Sequence, residues 1–234
     1  MACLNFGKKA SGNNPMLATL LKRGKSADQC KCIDFFVMPE QAKKGCKCMK
    51  PGGWTIDDYC AHVQGIVDRL NLKARAIEKI GLDESQISEI PPIHLASFKR
   101  SDTLYTKVSK DQTKFVTNIY QITWIFFSAT QIYTYTYTLD TTSDDSTEFT
   151  RDFFYTDVTC IRTEHEVEEA IYESTQGCGC LKKKEAKYEH RNRHWDTLQI
   201  TVANDSYSFT CRTTETIEQS IQAAKAMIRE KKQA

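Results

Sequence analysis

Apolar positions in the first third of the chain recur at helical spacing. Ile56, Tyr59, Val63, Ile66, Val67 and Leu70 follow at intervals of three, four and one, and Thr55 with Asp58 makes a capping-box start, so the pattern predicts a helix buried along one face. Shorter helices are predicted over 16–22, stopped by Gly24, and over 73–80, where Gly81 suits a left-handed cap. A further turn near Asp83 brings Ile87 and Ile90 inward before Pro91-Pro92 ends helical structure. Past Pro92 the period falls to two. Tyr120, Ile122, Trp124 and Phe126 share one face opposite Gln121 and Thr123, and Tyr133, Tyr135 and Tyr137 alternate with threonines. Strands are expected over 104–108, 115–127, 132–139, 148–154, 157–163, 198–202 and 207–211, with Trp124 facing inward. A last amphipathic helix starts at Thr216 and carries Ile217, Ile221, Ala224 and Ile228 on one stripe.

The pattern therefore predicts an α+β protein: an N-terminal helical, cysteine-containing module over 1–92, then a seven-stranded antiparallel barrel over 93–234 capped by its C-terminal helix. Residues 165–195 are expected to be an insertion between the fifth and sixth strands, either functional or flexible. The order of seven antiparallel strands and one helix, with the closely spaced strand pair in Asp152-Phe153-Phe154-Tyr155-Thr156-Asp157-Val158-Thr159-Cys160-Ile161, resembles the pleckstrin-homology-like barrel, and that stretch is similar to the middle strands of its bacterial members. The resemblance covers about residues 93–231 and extends to uncharacterised bacterial proteins that join such a barrel to a helical, cysteine-containing segment. It implies a barrel whose open end is plugged by the helix, peptide binding along an edge strand as one mode, and no activity.

The 234 residues, 40% hydrophobic and 26% charged, exclude wholesale disorder. The apolar runs are as short as Trp124-Ile125-Phe126-Phe127, far below the ~20 residues of a spanning helix, and the N-terminus has no apolar signal core, so a cytoplasmic protein is expected. In a reducing compartment its ten cysteines are thiols or metal ligands rather than a disulfide framework. The net charge of +2 hides an asymmetry: residues 1–50 hold ten Lys or Arg against Asp28, Asp34 and Glu40, a local +7 that favours anionic partners or simply solvates a tail.

Cys30, Cys32, Cys46 and Cys48 supply four thiolates, enough for one tetrahedral Zn²⁺ that would order a segment with little core of its own. Only Lys31 and Lys47 separate the pairs, against about two to four residues in structural zinc sites, so the pairs converge only if the segment is extended; reduced thiols on a lysine-rich loop are the alternative. Cys178, Cys180, His190 and His194 form a second ligand set without zinc-finger spacing, and Arg191 stands where a zinc protease needs its glutamate. Arg23-Gly24-Lys25-Ser26 lacks the first glycine and the preceding strand of a phosphate loop. Lys107, Lys110 and Lys114 bracket the first hairpin turn, where the resembled family's phosphoinositide binders place basic residues; solubility is the plainer role. With no catalytic signature, the chain reads as a non-enzymatic adaptor that binds a protein partner. The alternative is a zinc-stabilised module that contacts nucleic acid through its basic N-terminal segment.

Overall fold

The computed structural model describes residues 19–37, 53–83, 91–99, 105–109, 111, 113–176, 185–203, 205–212 and 214–233. Beside helical residues 19–21, within the helix expected over 16–22, four helices and nine strands are formed among them: α1 (Ala27–Val37), α2 (Ile56–Arg69), α3 (Leu72–Ile80), β1 (Ile93–Phe98), β2 (Thr106–Val108), β3 (Phe115–Thr117), β4 (Ile119–Phe127), β5 (Gln131–Asp140), β6 (Ser146–Phe154), β7 (Val158–Gln176), β8 (Glu185–Val202), β9 (Asp205–Cys211) and α4 (Glu215–Gln233). The fold is α+β with antiparallel pairing throughout, as the periodicity predicts. The strands are not a closed set of seven. They form a four-stranded sheet in the order β1-β4-β5-β6, a small β2-β3 hairpin and a three-stranded sheet β7-β8-β9.

Helices α2 and α3 start and stop where the sequence places them. The Thr55 hydroxyl accepts the Asp58 N–H at 3.1 Å while the Asp58 carboxylate accepts the Thr55 N–H at 2.9 Å, satisfying two otherwise orphaned donors. Gly81 caps α3 at φ 73°, a conformation that favours glycine. The expected 115–127 strand is instead two, broken at Asn118, whose amide donates to Asp140 Oδ1 at 2.9 Å and accepts the Tyr105 N–H at 3.1 Å. The turn expected beyond Asp83 lies outside the described residues.

Both faces of the four-stranded sheet are buried, against different things. On one face Ile122, Phe126, Tyr135, Tyr137 and Leu139 pack with Leu72 and Ala76 of the helices, so the tyrosines and Trp124 face the helical segment, not the interior between sheets. Trp124 is half-buried and stacks on His94 at 4.3 Å between ring centres. On the other face Ile93, Leu95, Ile125, Phe127, Ile132 and Phe153 meet Leu198, Ile200 and Phe209 of the three-stranded sheet, and α4 seals this core with Ile221, Ala224, Met227 and Ile228. A third cluster joins α1 and α2 to the β2-β3 hairpin through Cys32, Phe35, Phe36, Tyr59 and Val116. There the Tyr59 hydroxyl donates to the Thr117 carbonyl at 2.8 Å and lies 2.8 Å from the Thr141 hydroxyl. The helical segment thus buries its apolar residues against the sheet.

Candidate functional site

The expected insertion is a strand pair. β7 and β8 pair without interruption from Cys160↔Thr201 to Gln176↔Glu185, whereas β9 accompanies β8 only from Asp196 to Val202. Beyond Glu166↔Trp195 the two strands form a ribbon with no third strand among the described residues, roughly 33 Å long at strand rise. Trp195 anchors its base, buried and edge-on to Phe115 at 4.4 Å. β7 pairs with β8 alone among the described residues, so its outer edge presents backbone donors and acceptors along its length. Glu164, Glu166, Glu168 and Glu169 line that strand, and Val167 is 55% exposed.

On the face carrying Val167, His165 Nδ1 lies 2.7 Å from Asp196 Oδ1, its Nε2 lies 3.4 Å from His194 Nδ1, and His190 Nδ1 lies 2.7 Å from Glu169 Oε1. His190 and His194 are four residues apart on a strand, about 13 Å along it, and do not meet as they would on one helical face. Cys178 and Cys180 lie outside the described residues. No group of three or more His, Cys, Asp or Glu is placed to hold a metal ion among the described residues.

The first Cys-x-Cys pair sits on α1, not on an extended loop, and at about 100° per residue its two thiols point about 160° apart, to opposite sides of the helix. Cys30 Sγ lies 3.9 Å from the Lys22 and Lys25 carbonyls. Cys32 is fully buried, and that burial pushes its thiol up to about 11, away from the thiolate a metal needs. Cys46 and Cys48 lie outside the described residues, as does much of the basic segment. The helix was signalled: Ser26 and Gln29 form a capping box, with the Ser26 N–H donating to Gln29 Oε1 at 2.8 Å and the Gln29 N–H to Ser26 Oγ at 3.2 Å. Of the hairpin lysines, Lys107 donates to the Phe35 carbonyl and lies over the Phe35 ring at 4.4 Å, and Lys114 pairs with Asp57, so both tie the β2-β3 hairpin to the helices; Lys110 lies outside the described residues.

Two further polar groupings were invisible to sequence spacing. Arg75 Nε donates to Glu148 Oε1 at 2.8 Å, Lys79 Nζ lies 2.9 Å from Oε2, and the buried Tyr135 hydroxyl donates to Oε1 at 2.6 Å. Burial pushes the Glu148 carboxyl up, but the hydrogen bonds from Tyr135, Arg75 and Lys79 outweigh it and hold the group down at about 2. This is a clamp between α3 and β6. The second grouping is an open cleft of about 320 Å³ where the polar end of the four-stranded sheet faces β8 and β9, lined by Lys99, Gln121, Phe149, Arg151, Tyr207 and strand hydroxyls. Gln121 Oε1 accepts the Thr210 N–H at 3.1 Å, joining the two sheets across it.

No helix among the described residues is long and apolar enough to cross a membrane. Comparison with known proteins finds no matching protein family, no matching curated protein and no matching solved structure.

Proposed function

We propose that the chain is a non-enzymatic adaptor, working in the cytoplasm, that takes an extended basic segment of a protein partner as an added strand along the outer edge of β7. The observation that carries this reading is that β7, nineteen residues long, is paired on one side only among the described residues. Backbone groups on such an edge supply affinity, and flanking side chains supply selectivity. Glu164, Glu166, Glu168 and Glu169 favour a basic strand and oppose pairing of β7 with its own copy, where like charges would meet. The reading keeps the likeness to a pleckstrin-homology-like barrel; two antiparallel sheets facing each other over one core, with a C-terminal helix packed into it, support that likeness.

The test is a titration of the full chain with two synthetic peptides of alternating pattern, one Lys-Thr and one Glu-Thr, followed by backbone amide shifts. The Lys-Thr peptide should move β7 amides saturably, bind more weakly in high salt, and lose most of its affinity to a Glu166→Lys/Glu168→Lys variant. Shifts that avoid β7, or equal binding of both peptides, would remove the proposal.

A further inference from the structure

The cleft between the sheets is independent of the β7 edge and carries its own inference. Its size, about 320 Å³, falls at the lower end of small-molecule sites. Of its lining residues two are cations, Lys99 and Arg151, and none is acidic. The Arg151 guanidinium lies over the Phe149 ring at 4.3 Å and over the Tyr207 ring at 4.5 Å. Contacts with two aromatic faces hold the planar group in one orientation, and a guanidinium fixed in this way suits bidentate capture of an oxyanion. Phe149 and Arg151 reach the same face because they are two apart on β6, opposite Thr136 and Thr134 of β5, and Tyr207 comes from β9 in the other sheet. The aromatic and cationic groups are therefore set by sheet register rather than by a loop.

Thr197, Ser206 and Ser208 complete the lining; Ser206 and Ser208 flank Tyr207 on β9 and so line the cleft from the other side of that strand, where the Ser206 hydroxyl lies 3.3 Å from the Thr201 hydroxyl. Asp205, two residues before Tyr207 and not among the lining residues, has its carboxylate occupied: the Tyr207 hydroxyl and the Ser206 N–H hold it below the usual range, with Arg151 adding to the effect. Two cations without a lining carboxylate favour a doubly charged group over a singly charged one.

We propose that this cleft binds a small phosphate monoester with a hydroxylated body, Arg151 gripping the phosphate as a fork and the polar groups of β8 and β9 along the rim taking the body. A sugar phosphate matches both the volume and the mixture of donors and acceptors.

The full-length protein is titrated with ribose 5-phosphate, inorganic phosphate, ribose and gluconate, reading the Arg151 side-chain Nε–H and the β9 amides by NMR. Ribose 5-phosphate should shift both saturably, inorganic phosphate should bind more weakly, and ribose and gluconate should bind least. Arg151→Gln should weaken ribose 5-phosphate binding roughly tenfold or more, and Arg151→Lys should also weaken it, because an ammonium keeps the charge but not the fork. Unchanged thermal melting of the lysine variant separates this loss from misfolding; if that variant melts early, Ser208→Ala, at an exposed position, replaces it and should still weaken ribose 5-phosphate more than inorganic phosphate. The proposal fails if no phosphate shifts these signals, if gluconate matches ribose 5-phosphate, if the Arg151 variants bind as well as the parent, or if only single-stranded oligonucleotide binds. None of these outcomes depends on the β7 edge, so the two proposals stand or fall separately.

Discussion

The space between the two main sheets has two unlike ends. At one, Ile93, Ile125, Phe127, Ile132 and Phe153 face Leu198, Ile200 and α4, and the packing leaves a void of only about 10 Å³, too small for a ligand. At the other, the same strands present Gln121, Thr123, Thr136, Phe149 and Arg151, and the sheets part into the open cleft. One face of one sheet therefore changes from hydrocarbon to hydroxyl along the strand axis. The apolar end holds the sheets together, and that anchorage lets the polar end stay open; a face apolar throughout would close it, since buried apolar area is the main favourable term in folding.

The comparison is broken most directly at its apolar end. Ile221 is 2% exposed, and Ile221→Asp would bury a carboxylate without a partner, so unfolding stability should drop by about 4 kcal/mol or more, measured by denaturant titration. A small change would mean that α4 is peripheral and that the sheets hold together without it.

The helix-covered outer face gives the next effect. Glu148→Gln should cost about 2 kcal/mol by leaving Arg75 and Lys79 without their carboxylate. The folded-state pKa is depressed, so the stabilisation is fully present above the ordinary carboxylate range and is lost as pH falls toward about 2. The variant's stability should accordingly vary less between roughly pH 5 and pH 2 than the parent's; equal slopes would show that the clamp does not act in solution.

Within the polar end, the buried Thr123 and Thr136 hydroxyls lie 3.1 Å apart. Thr136→Val strands one hydroxyl and should cost about 1 kcal/mol, whereas the Thr123→Val/Thr136→Val double variant removes both and should be close to neutral. Additive losses would mean that each hydroxyl has an independent partner. The smallest effect belongs to the ribbon: Val167→Thr, at 55% exposure, should alter stability by less than about 0.5 kcal/mol.

How much of this was legible in the sequence depends on what each pattern recorded. Helices α2, α3 and α4 and most strands were, because one face of each carries an unbroken apolar stripe or alternation. The Tyr-Thr alternation of β5 identified a strand but not its faces: Thr134 and Thr136 are as buried as Tyr135, so polarity did not distinguish inside from outside. Helix α1 was overlooked although Ser26 and Gln29 mark its start, since the Cys-Lys-Cys spacing drew the same residues into an extended metal-binding reading. β1 has only six residues, and Pro91-Pro92 just before it mark the end of the helical segment without announcing a strand. The outer halves of β7 and β8 have charged residues on both faces, so apolar periodicity is silent there and the ladder between them is what makes them strands. The clamp on Glu148 and the stacking on Arg151 join residues far apart in the chain, brought together by register alone.

The ladder between β7 and β8 also sets a gradient of local opening. Near Val202 the strand pair is backed by β9 and the apolar core, so amide exchange there requires large-scale unfolding. Toward Gln176↔Glu185 the cooperative support among the described residues is the neighbouring pair on the ladder, so exchange should quicken step by step along the ribbon, with opening free energies falling from the global value toward zero. A strand added along β7 would convert that slope into a plateau of protection, so hydrogen exchange would report occupancy of the edge residue by residue.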